Sequence, residues 1–234
     1  MVDSAPEEAI PEFVINDAVR SYEPRLEDQF FTLESGDYQR LIFINQKLRD
    51  KEENHLNDFR NFLKVKNLTL PAGYDDENRL VVRLLQKMHW DYQKTYDQIN
   101  LHSQWLKNCN ISNIEPVRPW LEQGFMYGYM RDKSLRPIII VNVRKLADSK
   151  ISIDQIVETA DFFLHYVIKN GMSPGRVENF VCIFDMRNVG VTELPSKHIQ
   201  NLVKSMSKNY CGRMFKFFAT DCNWLVRSMM WTVH

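Results

Sequence analysis

The side chains able to do covalent, redox or metal chemistry are few and scattered. Cys109, Cys182, Cys211 and Cys222 share no C-x-x-C spacing, and His55, His89, His102, His165, His198 and His234 cluster with none of them. A zinc site needs several such ligands converging and a disulfide framework needs ordered spacing, so the sequence reads as holding neither metal nor bridges. Cys182 sits in the apolar run FVCIF and is expected as a small core residue. Gly171, Gly175 and Gly190 stand alone, so there is no phosphate-cradling loop or dinucleotide fingerprint, and no G-x-S-x-G nucleophile turn occurs. Asp185 closes a buried strand at its carboxyl end, where open α/β sheets hold ligands. With no His, Ser or Lys beside it in sequence, it is expected to satisfy backbone N–H groups of the following turn. The chain reads as a non-enzyme.

Of 234 residues 44% are apolar and 12% aromatic, enough for a sizeable core. Lys and Arg number 30 and are matched by 30 Asp and Glu. Nucleic acid, which rewards a basic face through counterion release, is therefore excluded as a partner. Zero net charge also gives little protection against association, which suits a chain that binds other protein chains. No apolar run approaches the ~20 residues of a membrane-spanning helix. The opening MVDSAPEEAIPEF is acidic and has no basic residue, unlike a secretory or mitochondrial leader. These readings place the chain in the cytoplasm or another reducing intracellular compartment.

The elements that must position any site fall into three stretches. Residues 1–36 read as an extended arm, punctuated by Pro6, Pro11, Pro24 and Gly36 yet carrying Phe13, Phe30 and Phe31. Solvated tails seldom spend aromatics this way. The arm either wraps its own domain or docks on another chain through those three rings. Residues 37–108 read as a small helical unit, with Leu41, Ile44, Leu48, Leu56, Phe59 and Leu63 at helical spacing from Asp37 onward. Leu80, Val81, Leu84 and Leu85 make a second stripe, and Asp91 can cap a third helix with Tyr92, Tyr96, Ile99 and Leu106 inward. Over residues 109–234 strands and helices alternate. MYGYMRDKSLRPIIIVNV reads as two strands joined at Asp132–Ser134, Ser152 and Gln155 form a capping box, and Asn170-Gly171 reads as a left-handed helix stop. FVCIFD and FKFFAT read as strands covered on both faces. The alternation calls for crossovers and a mostly parallel sheet.

Four stretches, in order, resemble the CRAL-TRIO lipid-binding domains, a family that includes phosphatidylinositol and tocopherol transfer proteins. LLQKMHWDYQKTYDQI is similar to the family's N-terminal helical signature, and YMRDKSLRPIIIVNV to its D-x-x-G-R-P-V turn and strand through Asp132, Arg136 and Pro137. VCIFDMRNVGV resembles its D-L-x-G strand end through Asp185 and Met186, and KNYCGRMFKFFATDCNWLVRSMMW its N-Y-P-E-R-L block through Asn209, Tyr210, Arg213, Trp224 and Leu225. The resemblance implies an α/β fold: a mostly parallel sheet with covering helices on one face and an apolar lipid pocket on the other, preceded by the small helical unit. It implies lipid as ligand and membrane surface as partner. Period two puts Phe180, Cys182 and Phe184 on one face, and by the resemblance they line the pocket with Ile139 and Val141, with Lys87 as the nearest fixed charge.

Departures point elsewhere. Leu135 stands at the turn glycine, so the turn geometry is expected to differ, and Cys211-Gly212 replaces Pro-Glu. The family's gate helix and closing strands are expected to be missing, leaving the domain incomplete at its C-terminus and exposing Trp224, Met230 and Trp231 for a partner. Each lipid methylene left in water costs ~0.8 kcal/mol, so a half-built pocket carries lipid poorly. Two functions follow: a CRAL-TRIO domain that buries or transfers one apolar lipid, and a degenerate one serving as an interaction subunit of a larger assembly. The first is the family's default.

Overall fold

A computed structural model of the chain describes residues 13–32, 38–74 and 79–221. The N-terminal segment is more structured than an extended arm. Asn16 accepts from the Val19 N–H at 3.1 Å and opens a short helix α1 (Asp17–Ser21), and after a 3-10 turn (Leu26–Gln29) strand β1 (Phe30–Thr32) pairs antiparallel with β2 (Tyr38–Arg40). The helix expected from Asp37 begins only at α2 (Asp50–Lys66). The spacing of Leu41, Ile44 and Leu48 mimics a helix, but Leu41, Ile42 and Phe43 are all buried in succession, which no single helical stripe allows. The Glu52 carboxylate accepts from the Arg49 N–H at 2.9 Å and fixes the true start, with acids in the first turn where the helix dipole favours them.

Helix α3 (Leu80–Lys87) is followed by His89 and Trp90, both with positive φ, and Asp91 caps α4 (Tyr92–Asn108) by accepting from the Lys94 N–H at 3.0 Å. Thr95, Ile99, His102 and Ser103 face inward on α4, while Leu106, expected inward, is exposed. After α5 (Arg118–Glu122) come β3 (Met126–Arg131), β4 (Pro137–Asn142), α6 (Val143–Asp148), α7 (Ile153–Gly171), β5 (Phe180–Asp185), α8 (Ser196–Asn209) and β6 (Met214–Thr220). The sheet runs β3-β4-β5-β6, antiparallel at β3 and parallel thereafter, so the fold is α/β with a mostly parallel sheet.

Two local expectations change. Gly171 is no left-handed stop: α7 runs through it, and its missing Cβ instead lets the Phe13 carbonyl approach to 3.2 Å of where that carbon would sit. Leu135 does not alter the turn. It takes φ +58°, the conformation a glycine would have, held by Asp132, whose carbonyl accepts from the Leu135 N–H at 2.9 Å and whose carboxylate accepts from the Ser134 and Arg136 N–H groups at 2.9 and 2.8 Å.

Buried apolar side chains form two clusters, one between the sheet and α7–α8 and the other among α2, α3 and α4. Polar links join them, two of them centred on buried side chains. Glu178, 1% exposed, accepts from the Ile44 N–H at 2.7 Å and the Gly175 N–H at 2.6 Å, and pairs with the guanidiniums of Arg83 and, at 3.3 Å, Arg213. His102 on α4 accepts from the Tyr74 hydroxyl at 2.6 Å through Nδ1 and donates to the Asn209 carbonyl at 3.0 Å through Nε2, the neutral tautomer that both partners require.

Removing one partner of a buried ion pair strands the others. Glu178→Ala should lower unfolding free energy by about 3–5 kcal/mol in urea denaturation. His102 carries a pH signature. Burial first, then the charges of His165 and Lys87, depress its pKa below the ordinary 6.5. A depressed folded pKa gives stability that is complete above the unfolded value and lost as pH falls through the folded one. The thermal midpoint should therefore drop between pH 7.5 and 5.5, and a His102→Gln variant should show a smaller drop over the same interval.

Candidate functional site

Strand register decides what each face of the sheet carries. Met126, Val141, Phe184 and Ala219 lie in one cross-strand row, and Gly128, Ile139, Cys182 and Phe217 in the next row on the same face. Both rows pack into the cluster with Ile156, Leu164 and Leu202 from the helices. Between them, on the opposite face, runs Tyr127–Ile140–Ile183–Phe218, flanked by Ile138–Val181–Lys216 on one side and Asn142–Asp185–Thr220 on the other. Tyr127, Ile138, Ile140, Val181, Ile183 and Phe218 belong to neither buried cluster, and Tyr127 and Phe218 are 41% and 48% exposed. The face away from α7 and α8 is thus apolar across four strands with a polar margin, exposed at Tyr127 and Phe218, half-buried at Ile138, Ile140 and Ile183, and buried at Val181.

The five residues read as pocket-lining are on the other side. Ile139, Val141, Phe180, Cys182 and Phe184 are each at most 1% exposed and sit beneath the helices. The period of two held, but its sense was reversed, because alternation tells which side chains share a face and not which face a helix covers. A signal for the sense lay in the residues sharing parity with the open row: Asn142, Asp185, Lys216 and Thr220 are polar, which a helix-covered face avoids.

Lys87 is likewise no part of this face. Its ammonium donates to the Ser207 carbonyl at the end of α8, and burial lowers its pKa. Phe13 is 5% exposed and belongs to the chain's own core, its ring lying on Gly128, where a Cβ would come within 2.5 Å. It wraps its own domain because glycine leaves the room. Phe30 is half-buried in β1 beneath the Arg49 guanidinium, 5.0 Å from its ring centre. The side chain of Phe31 and residues Trp224, Met230 and Trp231 lie outside the described residues.

Polar chemistry near the sheet is structural. Asp185 accepts from the Arg187 N–H at 3.1 Å, as its position at the strand end implies, and also pairs with the Arg187 guanidinium at 2.6 Å, which holds its carboxyl below the usual range. Burial pushes the Cys109 and Cys182 thiols up to about 12, so neither supplies a thiolate near neutrality. Among the described residues no group of three or more His, Cys, Asp or Glu is placed to hold a metal, and no helix is long and apolar enough to cross a membrane.

Comparison with known proteins agrees with this architecture. The CRAL/TRIO domain family matches residues 121–234. Among solved structures, one described as the crystal structure of Sfh5 superposes with a TM-score of 0.57 at 11% sequence identity, covering 80% of this chain and 77% of that one. No curated protein sequence matches the chain. At that identity the structural likeness is one of fold.

The two faces make opposite demands on stability. Phe184→Ala, under the helices, should cost about 3–5 kcal/mol in chemical denaturation. Phe218→Ser, across the sheet, should stay within about 0.5 kcal/mol of the parent. Equal losses at the two positions would contradict the face assignment.

Proposed function

From the match of residues 121–234 to the CRAL/TRIO domain family, we propose that the chain binds one apolar lipid, without catalysis, against the open face of its sheet. The observation that carries the reading is the cross-strand row Tyr127–Ile140–Ile183–Phe218, which stands outside both buried clusters although it is apolar over all four strands. Tyr127 and Phe218 at its ends are exposed and Ile140 and Ile183 between them are half-buried, and an apolar surface left partly open to water marks a binding face. A lipid laid on it recovers ~0.8 kcal/mol for each methylene removed from water, so six methylenes supply roughly 5 kcal/mol. The aromatic ends of the row supply broad, rigid contact area, and the branched side chains of Ile140 and Ile183 between them suit an alkyl chain or ring system rather than a charged group. The second reading, an interaction subunit of an assembly, uses the same face with a protein in place of the lipid.

Native mass spectrometry of the full chain purified under mild conditions, followed by solvent extraction, tests the proposal. One lipid per chain is expected, lost in a Phe218→Glu variant that keeps its circular dichroism spectrum. Lipid-free protein that still forms a defined complex with another chain would favour the interaction role, and bound lipid unaffected by Phe218→Glu would place the binding face elsewhere.

A further inference from the structure

A concavity of about 1040 Å³ opens beside the start of β6 and is lined by Arg25, Glu27, Asp28, Phe30, Arg49, Arg136, Phe215 and Lys216 among others. Its carboxylates are already matched. Asp28, 3% exposed, takes the Arg136 guanidinium at 3.0 Å, the Tyr22 hydroxyl at 2.5 Å and the Arg25 N–H at 2.9 Å, and Glu27 pairs with the Arg25 side chain at 2.7 Å. Two cations remain. Arg49 and Lys216 are exposed and have no carboxylate partner among the described residues. Each is steadied by a ring instead: Arg49 lies 5.0 Å from the Phe30 centroid, and the Lys216 ammonium 5.4 Å from that of Phe215, which also stacks on Arg136 at 3.6 Å. A ring contact fixes a cation's position while leaving its N–H donors for an anion.

We propose that this cleft binds a phosphomonoester. The dianion balances the two unmatched cations, Arg49 offers a planar fork to its oxygens and Lys216 a point charge, and the volume leaves room for the organic part against Phe30 and Phe215. The same group occurs on soluble phosphorylated molecules and on lipid headgroups. The site shares no residue with the Tyr127–Phe218 row, so it stands or falls independently of the lipid reading.

Two probes distinguish the sources with the full chain: glycerol 3-phosphate by titration calorimetry, and phosphatidylcholine vesicles with and without phosphatidic acid by co-sedimentation. Binding of glycerol 3-phosphate would assign a soluble ligand, and binding only to vesicles containing phosphatidic acid a headgroup. In either case an Arg49→Gln, Lys216→Gln double variant should bind at least about tenfold more weakly, with an unchanged urea midpoint, since both side chains are exposed and neither is ion-paired among the described residues. Failure of both probes to bind the parent chain, or equal binding by the double variant, would overturn the proposal.

Discussion

Everything else in the structure is arranged around one buried carboxylate. Taking Glu178 out of water costs several kcal/mol, and that cost is offset only if donors converge on it. They arrive from four places: the segment before α2 through Ile44, α3 through Arg83, the α7–β5 connection through Gly175, and the lead into β6 through Arg213. Two guanidiniums against one carboxylate leave a surplus, which backbone oxygens absorb: Arg83 also donates to the Ile42 carbonyl at 2.7 Å and Arg213 to the Glu178 carbonyl at 3.1 Å. Burial and the like charge of Arg83 lower the Arg213 pKa. Gly175 is required here. Its φ is +74°, and a Cβ would meet the Asn45 amide nitrogen at 2.6 Å. These contacts hold the helical cluster at the amino ends of the parallel strands.

With that end of the sheet fixed, the N-terminal segment closes the outer edge of the helix-covered face. The Phe13 ring fills the space over Gly128, Arg131 donates to the Gly171 carbonyl at 2.8 Å, and Ile15 donates to the Asn170 carbonyl at 2.7 Å. Among the described residues the sheet is asymmetric, one side filled by helices and Phe13 and the other apolar but outside both clusters.

Much of this architecture was legible because local signals and tertiary packing agreed. The Ser152–Gln155 box opens α7, Asp91 caps α4, and the apolar run Phe180–Asp185 is a central strand. Resemblance of motif supplied the fold class. What failed did so for lack of long-range information. Residues 41–48 have helical spacing, but the chain enters them from a strand, Tyr38–Arg40, paired with Phe30–Thr32, and the Leu41 and Ile44 N–H groups go to the Gln29 carbonyl and to Glu178. Gly171 looked like a conformational device and is a packing one. Leu135 looked incompatible with its turn, yet the hydrogen bonds to Asp132 outweigh the roughly 1–2 kcal/mol that a left-handed side chain costs. The residues expected to line a pocket differ by a single parity from those on the face the helices leave uncovered. Glu178 carried no sequence signal at all, since an acid before a buried strand reads as surface.

The parity itself depends on a register shift. Phe180 pairs with Met214 and Val181 with Lys216, so Phe215 is an additional residue in β6 opposite no residue of β5. Before it, Met214 packs toward the helices. After it, alternation resumes one step out of phase, sending Phe217 and Ala219 to the helices and Lys216 and Phe218 to the open face. Were Phe215 instead paired with Val181 in regular alternation, that phase would reverse: Phe218 would go under the helices and Phe217 would stand in the open row. What holds the shift in place is Arg136, whose guanidinium lies 3.6 Å from the centre of the Phe215 ring and is itself pinned by Asp28 and Asp132 at 3.0 and 3.1 Å. The charged cluster at the β3–β4 turn therefore does more than close a turn. By seating the one unpaired aromatic of β6, it sets which side chains of the edge strand meet solvent, and so gives both the apolar row and the cationic cleft their composition.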